Sequence, residues 1–238
     1  MTQNEIIIGQ HAVVAVLENP KRMILSLKCT NEFYSKFKKK IDERKIKKFE
    51  IVSRKNIDLE LKNNFHQGVM IICKSLQHQD ISKIDDSEKN LVILDSLTDT
   101  QNVGAIIRSC YLFGIKTVIF NKNNSFEITP FLIKSASGAY EKIKFIEVVN
   151  INKTIQILKK MGFWVVGLDI NSKKNLSSIP KDIRKVLIFG SENKGIRPLI
   201  IQNCDFLVKV NLPVKDKSID SLNVSSTVSI ALYECLKK

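Results

Sequence analysis

The sequence predicts an α/β protein in two parts, a small N-terminal α/β module and a larger α/β domain built on a largely parallel sheet. Three observations predict it. Short apolar runs of strand length alternate with segments of helical spacing along the whole chain. A polar stretch, SLQHQDISKIDDSEKN (75–90), separates two such series and reads as a linker. The 238 residues are enough to bury one large core or two smaller ones.

In the first series, residues 1–74, HAVVAVLEN has helical spacing and is stopped by Pro20, and MILSLKC reads as a strand. NEFYSKFKKKIDERKI places Phe33, Phe37 and Ile41 on one helical face. FEIVS is a second strand, Ser53 is placed to cap the helix RKNIDLELKN, and QGVMIICK is a third strand. The second series, residues 91–238, opens on LVILD and continues through the strands KTVIF, FWVVGLDI, VLIFG and FLVKVNL. Helical segments between several of them favour parallel pairing with both faces covered. SSTVSIALYECLKK closes the chain as a helix, and its terminal Lys pair suits a helix C-terminus.

Lys and Arg number 38 against 24 Asp and Glu, a net charge of +14. That excess favours polyanionic partners, with RNA or DNA ahead of an anionic membrane; a generally basic proteome is the bland alternative. The charge is divided, +6 over residues 1–85 and +8 over the rest. KFKKKIDERKIKK (36–48) is either a solvated helix face or a surface that tracks phosphates. No apolar run reaches the length of a membrane span, and no basic residue precedes the first apolar stretch, so neither a membrane segment nor a signal peptide is expected. Five scattered cysteines without a CxxC pair, and histidines only at 11, 66 and 78, give no metal site; the thiols read as reduced core residues of a cytoplasmic protein.

Two common nucleotide motifs are absent. No two of the nine glycines are separated by a single residue, which removes GxGxxG, and neither GxxxxG spacing (162–167, 190–195) is followed by Lys-Ser/Thr. Three polar segments remain. The first, DSLTDTQNVGAIIRSCYLFG, puts Asp99 and Asn102 in a turn, Gly104 at a tight helix start and Arg108 one turn on. FGSENKGI (189–196) ends a strand with Gly190, Glu192 and Gly195, and in SLNVSST (221–227) Ser221 or Asn223 can cap the last helix. Singly these are a capped helix, a tight turn and another cap.

In order and content, the three segments resemble the motifs of the SpoU/TrmH family of RNA 2′-O-ribose methyltransferases. Asn102, Gly104, Arg108 and Phe113-Gly114 match its N-x-G-x-x-x-R with a later F-G. Gly190, Glu192, Gly195 and Ile196 match G-x-E-x-x-G-(I/L/M), and Ser221 to Ser225 are its S-L-N-V-S unchanged. GQHAV and the module after it are similar to the substrate-binding domain of the rRNA guanosine 2′-O-methyltransferase branch. The resemblance implies a C-terminal trefoil knot, S-adenosylmethionine as cofactor, an RNA substrate with a guanosine of 23S rRNA foremost, and a homodimer. A tRNA 2′-O-methyltransferase and a non-catalytic RNA-binding or ribosome-assembly protein on the same scaffold stand as alternatives. By resemblance, Gly190, Gly195, Val210, Leu212 and Leu222 hold the cofactor, with Gly190 admitting the adenosyl group close to the backbone. Arg108 is the family's candidate catalytic residue, and Asn102, Glu192, Asn223 and Ser225 orient it or the ribose.

Departures from the family pattern are local. Asn193 stands where a further glycine is common and is the residue next best able to take a left-handed turn. Thr100 replaces a common Pro, Val210-Asn211-Leu212-Pro213-Val214 replaces I-P-M-x-G, and the spacer KDKSID is longer. Methyl transfer to a ribose hydroxyl is an in-line displacement that needs a positioned nucleophile. A guanidinium stays protonated, so Arg108 is expected to hold the adjacent phosphate and stabilise charge on the 2′-oxygen rather than act as a simple base.

Overall fold

The computed structural model describes residues 4–213 and 221–237. The chain divides into two compact units, residues 1–77 with 128–142, and residues 78–127 with 143–238.

The first unit carries a four-stranded sheet. Strands β1 (Asn4–Ile8), β2 (Ile24–Cys29), β3 (Phe49–Ile51) and β4 (Val69–Lys74) lie in the order β1-β4-β2-β3. β4 is antiparallel to both of its neighbours, and β2 and β3 run parallel. Helices α1 (Gln10–Glu18), α2 (Asn31–Glu43) and α3 (Arg54–Leu61) follow the spacing of their apolar residues, and Ser53 caps α3 by accepting from Asn56 N at 3.2 Å. β1 was not expected from sequence. Its apolar part is only Ile6–Ile8, behind Asn4 and Glu5, and the fold buries that acid against Arg22 and the Tyr140 hydroxyl, the latter at 2.9 Å.

Segment 128–142 is part of this unit although it is distant in sequence. Arg22 Nε lies 3.2 Å from Glu141, Asn19 Nδ2 donates to Glu141 at 2.7 Å, and Arg22 Nη1 donates to Lys74 O at 2.8 Å. A buried arginine shared by two buried carboxylates is sustained only when each partner is held by further hydrogen bonds, as here.

The second unit is a six-stranded, wholly parallel sheet. Strands β5 (Asn90–Asp95), β6 (Thr117–Asn121), β7 (Lys144–Val148), β8 (Trp164–Leu168), β9 (Lys185–Gly190) and β10 (Phe206–Val208) are ordered β10-β8-β9-β5-β6-β7. Parallel strands are buried on both faces, which is why β5, β6 and β9 are nearly continuous apolar runs. β7 was not expected, because Lys144 and Glu147 interrupt its short apolar run. Helices α4 (Thr100–Leu112), α6 (Ile151–Lys160), α7 (Pro198–Ile201) and α8 (Val224–Leu236) belong to this unit, and α5 (Pro130–Ser135) to the first.

The polar stretch read as a linker is folded onto the second unit from residue 78 onward. Gln79 N donates to Phe145 O at 2.8 Å, and His78 Nδ1 lies 3.3 Å from Glu147. Val214 and the spacer KDKSID (215–220) lie outside the described residues.

Candidate active site

Chain order reverses beside β5: the path runs outward through β6 and β7, then returns to build β8, β9 and β10 on the other side. Such a switch point, at the carboxyl ends of parallel strands, opens a crevice between diverging loops. Here Asp95 at the end of β5 pairs in register with Gly190 at the end of β9. A cleft of about 630 Å3 lies beside these ends, walled by Leu168–Asn171, by residues 189–196 and by Ser221–Val224. Its size falls in the roughly 300–1,000 Å3 of small-ligand sites.

The loop after β9 is a tight reversal. Gly195 N donates to Ser191 O at 2.8 Å, and Gly195 takes the left-handed φ of +64°. That position falls on Gly195; Asn193, expected as the residue that replaces a glycine there, has no positive φ. Gly190 is required for a related reason. A Cβ on it would sit 2.0 Å from Gly195 C and 2.2 Å from Ile196 N, so the close approach that its missing side chain permits is that of the loop returning on itself. The loop is pinned from below by Asp95, which is fully buried and accepts from Arg197 Nη2 at 2.7 Å, Arg197 N at 3.2 Å and Ser96 Oγ at 3.2 Å. Sequence reasoning missed Asp95 and Arg197 as a pair; the available signal was an acid ending a strand of four apolar residues.

The three polar segments meet at the rim. Asn102 sits in the first turn of α4 rather than in the preceding turn, with its N–H donated to the N-cap Asp99 at 2.7 Å. From there Asn102 Nδ2 donates to Glu192 at 2.9 Å, and Asn223 Nδ2 donates to Asn102 Oδ1 at 2.9 Å. Asn223 Oδ1 in turn accepts from Ser225 N at 2.8 Å and Ser225 Oγ at 2.6 Å, making Asn223, not Ser221, the cap of α8. Residues 90 and 121 positions apart are thus joined by side chains alone.

Gly190, Gly195 and Leu222 border the large cleft. Val210, Leu212 and Leu222 border a smaller recess of about 100 Å3 that shares Leu168 and Ile170 with it. Ile196 and Leu222 offer apolar wall, while Glu192 and Asp169 bring two carboxylates; Asp169 had no sequence signal. Arg108 is not among the residues bordering either space. It is exposed on α4 and makes no ion pair or side-chain hydrogen bond among the described residues. Among the described residues, no cluster of His, Cys, Asp or Glu could hold a metal. The cysteines are free, and burial pushes the thiols up, Cys73 and Cys204 to about 12 and Cys29 and Cys235 to about 11.

Fold and site together define a class: an α/β protein with a cleft of small-ligand size at the switch point of a parallel sheet and no phosphate-binding loop. Comparison with known proteins makes the class specific. Residues 89–233 match the SpoU rRNA Methylase family and residues 6–79 the RNA 2′-O ribose methyltransferase substrate binding family, and the chain belongs to the SpoU methylase family. It is 32% identical over 242 residues to the 23S rRNA (guanosine-2′-O-)-methyltransferase RlmB of Coxiella burnetii, covering 98% of this chain and 96% of that one. In fold it is similar to the AdoMet-bound rRNA methyltransferase of Sinorhizobium meliloti, with a TM-score of 0.82 at 20% identity, over 98% of this chain and 86% of that one. It is similar also to the SpoU methyltransferase AviRb of Streptomyces viridochromogenes in complex with AdoMet, with a TM-score of 0.80 at 18% identity, over 98% and 89%.

Proposed function

We propose that this protein methylates the 2′-hydroxyl of a guanosine ribose in 23S rRNA, with S-adenosylmethionine as donor, and that it works in the cytoplasm as a homodimer. The observation that carries the reading is the hydrogen-bonded chain Glu192–Asn102–Asn223–Ser225 at the rim of the cleft, because it unites all three motif segments at one place. The guanosine and the 23S rRNA follow from the full-length similarity to the Coxiella enzyme.

The cleft fits the cofactor by its chemistry. A purine asks for apolar walls and a few backbone hydrogen bonds, which Ile196, Leu222 and the 190–195 loop supply. The carboxylates of Glu192 and Asp169 suit a cationic ligand. When bound, the cofactor supplies a methyl group activated by its sulfonium. Gly190, Gly195, Val210, Leu212 and Leu222 would hold it.

The chain's own task is to position the ribose. Asn102 and Asn223 fix each other's amides, so the carboxylate of Glu192 is presented in one orientation at the rim. Arg108 is unpaired among the described residues, which leaves its guanidinium free to take a phosphate of the RNA and to oppose charge developing on the 2′-oxygen. The trefoil knot implied by the family belongs to the same reading.

The test is methyl transfer from labelled S-adenosylmethionine to 23S rRNA taken from cells lacking the protein, followed by mapping of ribose methylation. One new 2′-O-methylguanosine is expected. Label on tRNA alone, or on a base, would overturn the reading.

A further inference from the structure

A loop and a helix of the first unit expose two aromatic rings that no motif accounts for. Phe65 is 53% exposed and Phe131 39%, and their rings meet edge to face with centroids 5.7 Å apart. Lys134 follows Phe131 by three residues on α5, hence on the same helical face, and its Nζ stands 5.4 Å from the Phe65 centroid. Beside them Gln10 and Gln67 are paired, Gln10 N to Gln67 Oε1 at 3.0 Å and Gln10 Nε2 to Gln67 O at 3.4 Å. Three segments far apart in sequence therefore converge on one surface of this unit.

The loop is constructed to hold Phe65 outward. His66, between the exposed Phe65 and Gln67, is fully buried. Its Nδ1 accepts from Gly68 N at 3.0 Å, so Nε2 carries the proton and donates to Asp58 at 2.7 Å. Gln67 and Gly68 take positive φ of +57° and +79°, and a left-handed non-glycine residue is uncommon enough to need such support.

We propose that Phe65, Phe131 and Lys134 form a platform for an unpaired RNA nucleotide. The base stacks on the rings, the Lys134 ammonium takes the adjoining phosphate, and the side-chain amides of Gln10 and Gln67 face the base edge. Unpaired bases are the part of RNA that aromatic side chains recognise, whereas duplex RNA offers only grooves and backbone. The proposal rests on the proposed reaction only in taking RNA as the partner.

The experiment measures binding of the full-length protein by fluorescence anisotropy to two RNAs, a hairpin with an unpaired loop and a blunt duplex of the same stem. Phe65→Ala and Phe131→Ala are each expected to weaken hairpin binding about five- to a hundredfold, the range of one lost stacked base. Duplex binding and cofactor binding by calorimetry should be unchanged, and Phe65→Trp should keep the hairpin affinity. Lys134→Gln should reduce the salt slope for the hairpin by about one unit. Unchanged hairpin affinity, or equal losses on hairpin and duplex, would overturn the platform. So would a fall from dimer to monomer in the alanine variants, which would give the patch to a second copy. A protein that discriminates the RNAs through these rings yet transfers no methyl group would retain the platform and lose the reaction.

Discussion

At the scale of single residues, substitutions at two positions separate catalysis from binding. Arg108 is exposed, and the five candidate cofactor residues are elsewhere. Arg108→Ala should lower single-turnover methylation about a hundredfold or more while calorimetric cofactor affinity barely changes, as for loss of a preorganised donor. Arg108→Lys should not restore the rate, because an ammonium lacks the planar fork that spans phosphate and ribose oxygens. A wild-type rate in Arg108→Ala would remove it from the site, and a parallel loss of cofactor binding would make it part of the pocket. Gly190→Ala should behave in the opposite way. Its Cβ would sit 2.0 Å from backbone rather than against a flexible side-chain end, so the 191–195 loop must move. Cofactor binding should fall first, with methylation following it; retained affinity would mean that the loop has another resting place. The resemblance gave Gly190 a role in admitting the adenosyl group close to the backbone. The structure adds a second constraint, a contact with Gly195, and only the fold brings those two backbones together.

At the scale of elements, local signals were legible and tertiary ones were not. Ser53 and Asn223 could be read as caps because a cap bonds to residues two or three positions on. The terminal Lys pair was read as suiting the C-terminus of α8; Lys238 lies outside the described residues, and Lys237 pairs with Glu234 at 2.6 Å. A further contact had no sequence signal: the buried Lys185 of β9 reaches Cys235 O at 3.3 Å together with Pro180 O at 3.0 Å and Lys181 O at 3.1 Å. An amine that ties two carbonyls of the segment just before it to one fifty residues on leaves no periodic trace. Lys185→Met should strand those carbonyls and cost about 1–3 kcal/mol in denaturant unfolding. Because α8 carries Asn223 and Ser225 at its other end, methylation should fall as well; an unchanged midpoint would make the staple incidental. For α2 the two readings of its lysine run remain separable by experiment. Lys40 is engaged with Glu18 at 2.5 Å, and Lys38 stands 6.0 Å from the Tyr34 ring centroid. Neutralising Lys38, Lys39 and Lys40 should weaken RNA binding and flatten its salt dependence by roughly one unit per lost phosphate contact, and an unchanged slope would make the run a solvated face.

At the scale of the molecule, the parallel sheet was legible because strands buried on both faces are nearly pure apolar runs. The allocation of 128–142 to the first unit was not, since that depends on Arg22 and Glu5 meeting Glu141 and Tyr140 across more than a hundred residues. The same limit applies to assembly. Val228, Ile230, Ala231 and Leu232 make α8 apolar, but Val228, Ala231 and Leu232 are fully buried in their own chain. What remains outside is Ile230 and Tyr233 on α8, with Tyr111, Leu112 and Phe113 at the end of α4, 40%, 59%, 45%, 70% and 37% exposed. The two helices pack together, with Ser109 Oγ and Ser229 Oγ 2.8 Å apart. Apolar exposure of this extent marks an interface more often than a free surface, and a two-fold axis is the commonest way to cover such a patch with itself. Light scattering at micromolar concentration should therefore give the mass of two chains. Leu112→Asp, which puts a charge at the most exposed of these positions, should shift the population to monomer and lower methylation with it. A wild-type monomer with full activity would sink the dimer. A Leu112→Asp protein that stays dimeric would place the contact on another face of the unit.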